Sequence, residues 1–134
     1  MNILIDTHIA LWAISDTSKL STELRRTLED GNNRIYYSMA SVWEVAIKHS
    51  LHKDDMPMPE EEFVKLCNDA GFYRLNIRPE HIYNVKTVIR PHTAPKHNDP
   101  FDRLLIAQAK TEGMQFFTHD QLLKDYDESC VYTV

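Results

Sequence analysis

Short β-forming runs alternate with helical stretches from one end of this chain to the other. Residues 2–5, 34–38, 72–77 and 114–118 read as strands, with a fifth at 131–134. Helical patterns fill the intervals 7–14, 21–30, 39–50, 60–70, 79–89 and 100–112, with a short helix at 121–125. The first run, Asn2-Ile3-Leu4-Ile5, is apolar without alternation after its first residue, as in a strand buried on both faces. Strands alternating with helical stretches throughout make a parallel sheet the simplest architecture. The pattern predicts an α/β fold with a central parallel sheet of four to five strands, covered by helices on both faces. The 134 residues suit a single domain spanning 1–134 and suffice for a sizeable core.

Composition narrows the class. An apolar fraction of 43% and a charged fraction of 26% are those of an ordinary globular protein. With 20 acidic and 15 basic residues the net charge is −5, so contact with nucleic acid requires a local basic patch. Cys67 and Cys130 are the only cysteines and form no CxxC, which predicts reduced thiols and a cytoplasmic protein. The first residues carry no Lys or Arg, and Asp6 interrupts the first apolar run. Neither a signal peptide nor a membrane-spanning stretch is expected.

Isolated carboxylates punctuate the apolar elements. Asp6 follows the first strand directly, in Asp6-Thr7-His8, where an open parallel sheet places its ligands and where it also suits a helix cap. Glu44 is the one acid within Met39–Ser50, flanked by Val42, Trp43, Val45, Ala46 and Ile47. Burying such a group is costly unless it is paired or bound to a cation. Lys48 at i+4 is the ordinary partner, worth a few tenths of a kcal/mol. In Asp99-Pro100-Phe101-Asp102-Arg103, Pro100 suits the first helical position, Asp99 the N-cap and Asp102 the first turn of a mostly apolar helix. The fourth strand ends as the first does, in Thr118-His119-Asp120. Just before Asp99, the loop 90–98 carries Arg90, His92, Lys96 and His97, which suit a polyanion.

Parallel strands put Asp6 and Asp120 at one end of the sheet. The helices that begin at that end bring Glu44, Asp99 and Asp102 to the same side. An oxygen-only donor set favours a hard cation, Mg²⁺ or Mn²⁺, and such a cation beside basic residues points to phosphate chemistry. No glycine-rich phosphate loop is present, and the chain has three glycines in all.

Taken in order, Asp6-Thr7-His8, the segment Ser41-Val42-Trp43-Glu44-Val45-Ala46-Ile47-Lys48, the run from Asp99 to Ala109, and Thr118-His119-Asp120 resemble a PIN-domain ribonuclease, more narrowly a VapC-type toxin. The resemblance covers nearly the whole chain. It implies an α/β/α sandwich, a Mg²⁺- or Mn²⁺-dependent endoribonuclease, a homodimer, and a cognate antitoxin that blocks the site. Asp6, Glu44, Asp102 and Asp120 match the acidic quartet of that family, as catalytic and metal-ligating residues. Asp99 matches an accessory aspartate. On this reading Thr7 and Thr118 orient water or ligand oxygens, Lys48 and Arg103 meet phosphate, and cleavage leaves 5′-phosphate and 3′-hydroxyl ends.

Other readings remain at this point. The family also holds RNA-processing nucleases outside toxin–antitoxin systems and non-catalytic modules that bind RNA or protein. A zinc enzyme has little support: seven histidines are present, with His49 and His52 at i, i+3, but no HExxH. A phospho-aspartate phosphatase lacks its second aspartate, since Asp6 is followed by Thr7 and His8.

Overall fold

The computed structural model describes residues 1–94 and 99–134. Lys96 and His97, expected on a basic loop, lie outside the described residues. The sheet has five strands: β1 (Asn2–Ile5), β2 (Arg34–Ser38), β3 (Tyr73–Leu75), β4 (Gln115–Thr118) and β5 (Val131–Thr133). Their order is β3-β2-β1-β4-β5 and every pairing is parallel. The helices are α1 (Thr7–Ser15), α2 (Thr22–Glu29), α3 (Met39–Leu51), α4 (Glu60–Asp69), α5 (Pro79–Asn84) and α6 (Pro100–Glu112). Among the described residues no helix is long and apolar enough to cross a membrane.

Side-chain alternation along the strands divides the core into two layers. Ile3, Ile5, Ile35, Tyr37 and Phe117 pack on one face with residues of α1, α2 and α4, including Phe63 and Cys67. Leu4 and Phe116 pack on the other with Leu105, Ile106 and Ala109 of α6. β1 is central and feeds both layers, which is why its sequence shows no polar alternation. α3 contributes to both, with Val42 and Val45 on one side and Ala40 on the other. This is the expected α/β/α sandwich.

Several boundaries differ from expectation. The third strand spans three residues rather than six, because Arg74 is exposed and Asn76 falls outside the pairing. The helix expected over 79–89 stops at Asn84 and continues as a 3₁₀ turn, Val85–Thr87. Its apolar positions do not form a buried face: Ile82 and Ile89 are exposed, and His81 is buried instead. His81 accepts a hydrogen bond from Arg78 N at Nδ1 (3.0 Å), and its Nε2 lies 2.7 Å from Glu112 Oε2. With Nδ1 accepting, the Nε2–H tautomer donates to Glu112.

A second buried polar link ties α3 to α6. Gln108, the one polar residue between Leu104 and Ala109, is fully buried, and its amide oxygen accepts from the Ser38 hydroxyl. Ser38 also caps α3, accepting from Ala40 N at 2.9 Å. Two backbone or side-chain groups therefore depend on one hydroxyl. Ser38→Ala should lower stability by about 1–3 kcal/mol, as read from urea unfolding, through the lost cap and the stranded Gln108 carbonyl.

Candidate functional site

The chain builds outward from β1 to β2 and β3 on one side, then resumes at β4 and β5 on the other. Its direction of growth reverses between β1 and β4, the crevice at which open parallel sheets bind ligands, beyond the strand C-termini. Asp6 follows β1 at this crevice, and Thr118, His119 and Asp120 follow β4. α3 starts directly after β2 and brings Glu44 in on its second turn. α6 runs back toward the start of β4, so its first turn, with Asp99 and Asp102, opens at the same end.

A cleft of about 470 Å³ lies there, and all five carboxylates line it. Three of them, Asp6, Asp99 and Asp120, also cap helical turns. Asp6 caps α1, its Oδ1 accepting from Ile9 N at 2.8 Å. Asp99 caps α6, accepting from Phe101 N at 2.9 Å. Asp120 caps the 3₁₀ turn Gln121–Asp125, accepting from Leu122 N at 2.9 Å. The capping and cleft readings of these aspartates are therefore compatible: one carboxylate oxygen serves the backbone while the group stands at the mouth.

The second oxygen of Asp6 is held as firmly. Oδ2 accepts from Thr118 Oγ1 at 2.7 Å and from His119 N at 2.8 Å, stitching the ends of β1 and β4 together. Burial pushes the Asp6 carboxyl above its ordinary range, against the opposing pull of its hydrogen bonds from Ile9, Thr118 and His119. Glu44 is also buried. Its Oε1 accepts from Thr7 Oγ1 at 2.6 Å, and Thr7 in turn lies 2.9 Å from Ser41 Oγ. Thr7 has a single hydroxyl proton, so with Glu44 accepting it Ser41 donates to Thr7. The other Glu44 oxygen meets Lys48 Nζ at 2.6 Å, so the i,i+4 pair does form.

Excess negative charge shows in the titration of the neighbours. Asp102 is pushed up to about 8, first by burial and then by the charges of Asp99, Glu44, Asp6 and Asp120. Burial works to lower the Lys48 ammonium, but its hydrogen bond to Glu44 and the charges of Glu44, Asp99 and Asp102 prevail and raise it. An oxygen-only donor set with uncompensated charge has the chemistry of a hard-cation site. The side chains are not drawn into a ready-made cage: among the described residues no three His, Cys, Asp or Glu groups stand close enough together to hold a metal. Glu44 engages Thr7 and Lys48 instead, and Asp6 engages Thr118 and backbone.

Of the remaining residues singled out from sequence, Thr7 and Lys48 line the cleft, and Thr118 reaches it through Asp6. Arg103 does not line it. Its guanidinium donates to Val85 O (3.0 Å) and Val88 O (3.2 Å), on the side of α6 that faces the 3₁₀ turn. Arg90 is likewise turned away, bonded to Leu122 O and stacked 4.9 Å over the Tyr126 ring. Two rings that sequence reading did not assign to the site stand at its rim. Trp12 and His119 meet edge to face with centroids 4.8 Å apart, and His8 lies 5.9 Å from Trp12 on its own helix. His8 and Trp12 at i, i+4 directly after Asp6 were the available signal.

Raised carboxyl pKa values make a prediction for the metal-free protein. A carboxylic acid whose folded pKa exceeds its unfolded value stabilises the fold fully below the unfolded value, and that contribution is lost as pH rises through the folded value. For Asp102 the window runs from the ordinary 3.8 up to about 8. In EDTA, the melting temperature should therefore fall as pH rises across this window, and Asp102→Asn should flatten part of that fall.

Comparison with known proteins places the chain. No curated protein sequence matches it. Among solved structures, a chain of VapBC2 from Rickettsia felis, in a crystal structure of that complex bound to a DNA fragment from its promoter, superposes with a TM-score of 0.67. The match is 16% identical and covers 99% of this chain and 98% of the other. At that identity the likeness is one of fold. The PIN domain family matches residues 3–129, nearly the entire sequence, and the protein is a member of that family.

Proposed function

We propose that residues 1–134 act as a single metal-dependent endoribonuclease domain, the toxin of a type II toxin–antitoxin pair. The observation that carries this reading is the meeting of Asp6, Glu44, Asp99, Asp102 and Asp120 at one cleft, from the ends of β1 and β4 and the starts of α3 and α6. Membership of the PIN family and the fold shared with a VapBC2 chain support it. Asp6, Glu44, Asp102 and Asp120 are the residues that would hold Mg²⁺ or Mn²⁺, with Asp99 as an accessory group. When bound, the cation supplies activation of water and stabilisation of charge on the scissile phosphate.

The chain's own residues prepare that chemistry. Thr118 and the His119 amide fix Asp6 in one orientation, so that its position does not depend on the ligand. Thr7 and Ser41 do the same for Glu44. Lys48 pairs with Glu44, and its half-exposed ammonium would meet a substrate phosphate if Glu44 were engaged by a bound cation instead. Asp102 is held up to about 8 by burial and the surrounding carboxylates, so a cation's charge would favour its ionised form. Water attacks phosphorus in line, the bond to the 3′ oxygen breaks, and the products carry 5′-phosphate and 3′-hydroxyl ends. Arg103, bonded to backbone carbonyls, reaches a phosphate only where the strand extends past the start of α6.

An acidic cleft is complementary to a protein segment that brings Arg or Lys into it, which is how a cognate antitoxin would block it. A homodimer working in the cytoplasm completes the proposal. Asp6→Asn and Asp102→Asn should each lower RNA cleavage at least about a hundredfold while the protein still folds by circular dichroism. Asp99→Asn should lose less, because asparagine keeps the cap. Substantial cleavage by Asp102→Asn would overturn the site. Expression of the wild type alone should arrest bacterial growth, and Asp6→Asn should relieve the arrest. Soluble wild type that cleaves RNA in vitro but leaves growth unaffected would point to an RNA-processing nuclease instead.

A further inference from the structure

A second cavity, of about 760 Å³, adjoins the carboxylate cleft. Thr7, His8, Trp12 and Lys48 line both, so the two spaces run into each other across the exposed side of α1. Beyond the shared residues the groove is lined by Lys19, His52 and Pro57 and by none of the five carboxylates. Its chemistry changes on the way. The cleft is strongly acidic, whereas in the groove Lys19 and Lys48 balance Asp16 and Asp55, and His8 and His52 add polar rings. Of its two acids, Asp16 is committed to Ser18, accepting from its hydroxyl at 2.5 Å and its backbone N at 3.3 Å. The second is Asp55.

Trp12 stands at the junction. It is half-buried, anchored against the core layer that contains Ile9 and Leu11. The imidazole of His119 meets it at 81°, and that of His8 is tilted at 49°. Three rings thus gather where the two spaces meet. Core packing accounts for the buried part of the indole and leaves the two histidines unexplained, since both are exposed. Partly exposed aromatic rings are the platform on which unpaired bases stack.

We propose that Trp12 is a stacking platform for an unpaired base of the RNA next to the scissile phosphate, and that the strand continues along the groove past Lys48, His52 and Lys19. This rests on the nuclease reading above and assigns Trp12 a role in seating the substrate. Duplex RNA offers its bases to each other and has no face left for the indole.

Tryptophan fluorescence tests this directly, because the chain has two tryptophans. In Trp43→Phe, which retains an aromatic ring against Phe101, the emission comes from Trp12 alone. With EDTA present to prevent cleavage, a short single-stranded oligoribonucleotide should quench that emission. The same strand in a duplex, or an abasic strand of equal length, should not. Trp12→Leu keeps apolar bulk and removes the aromatic face. It should weaken binding of the labelled single strand about five- to a hundredfold by fluorescence anisotropy, and Trp12→Phe should restore most of the loss. Equal quenching by the abasic strand, or unchanged affinity in Trp12→Leu, would overturn the proposal. If the wild type cleaves RNA while Trp12→Leu binds normally, the platform falls and the nuclease reading stands. If the wild type does not cleave but Trp12 is quenched by single strands, the nuclease reading falls and RNA binding by this surface stands.

Discussion

Repulsion among carboxylates in a half-buried cleft is the constraint around which this protein is arranged. Five acidic groups line one end of the sheet, and burial, reinforced by their mutual charge, pushes Asp102 up to about 8. Isolated acids in such surroundings would turn toward water or rearrange. Here Asp6 is fastened from behind by Thr118 and two backbone amides and Glu44 by Thr7 and Lys48, while Asp99 and Asp120 are held as caps. The fastenings are made largely to elements whose relative positions are set by the parallel sheet. The core therefore holds in place a charge arrangement that is unfavourable without a counter-ion.

The same economy explains why structural and functional assignments coincide. A carboxylate at a helix N-terminus is favoured by the unpaired backbone N–H groups and the helix dipole. In a parallel α/β sheet, helices begin on the side where the strands end. Capping aspartates thus collect on the face of the sheet that binds ligands. Lys48 is the internal counter-charge for Glu44, and because its side chain is 44% exposed the pair is screened and adds little stability alone. A modest internal partner is one that an incoming cation can displace.

Much of this arrangement was legible in the sequence, for identifiable reasons. Asp6 and Asp120 interrupt apolar strands at their ends, and Glu44 stands alone among apolar residues, so their positions could be read from pattern. The sheet followed from the alternation of strands with helical stretches. Arg103 was not legible, because adjacent residues on a helix point about 100° apart. Asp102 faces the cleft, and its neighbour turns to Val85 and Val88. His81 was missed because Ile82, Val85 and Ile89 offered a plausible apolar stripe. The burial of His81 is decided by Glu112 and Gln108 on α6, which are 31 and 27 residues away. Trp12 was absorbed into an apolar helix, and its position beside His119 depends on the β1–β4 pairing.

Thermal melting of two proteins in two buffers tests the central claim most directly. The wild type and Asp102→Asn are each melted near pH 8, in EDTA and in Mn²⁺. If the cleft is a cation site, the wild type melts higher in Mn²⁺, through relief of repulsion and the linkage of binding to folding. Asp102→Asn in EDTA then melts at or above the metal-free wild type, since a repelling charge is gone, and gains little from Mn²⁺. If Asp102→Asn instead melts lower than the wild type in EDTA and keeps the full response to Mn²⁺, Asp102 is a structural residue and the account of the cleft is wrong.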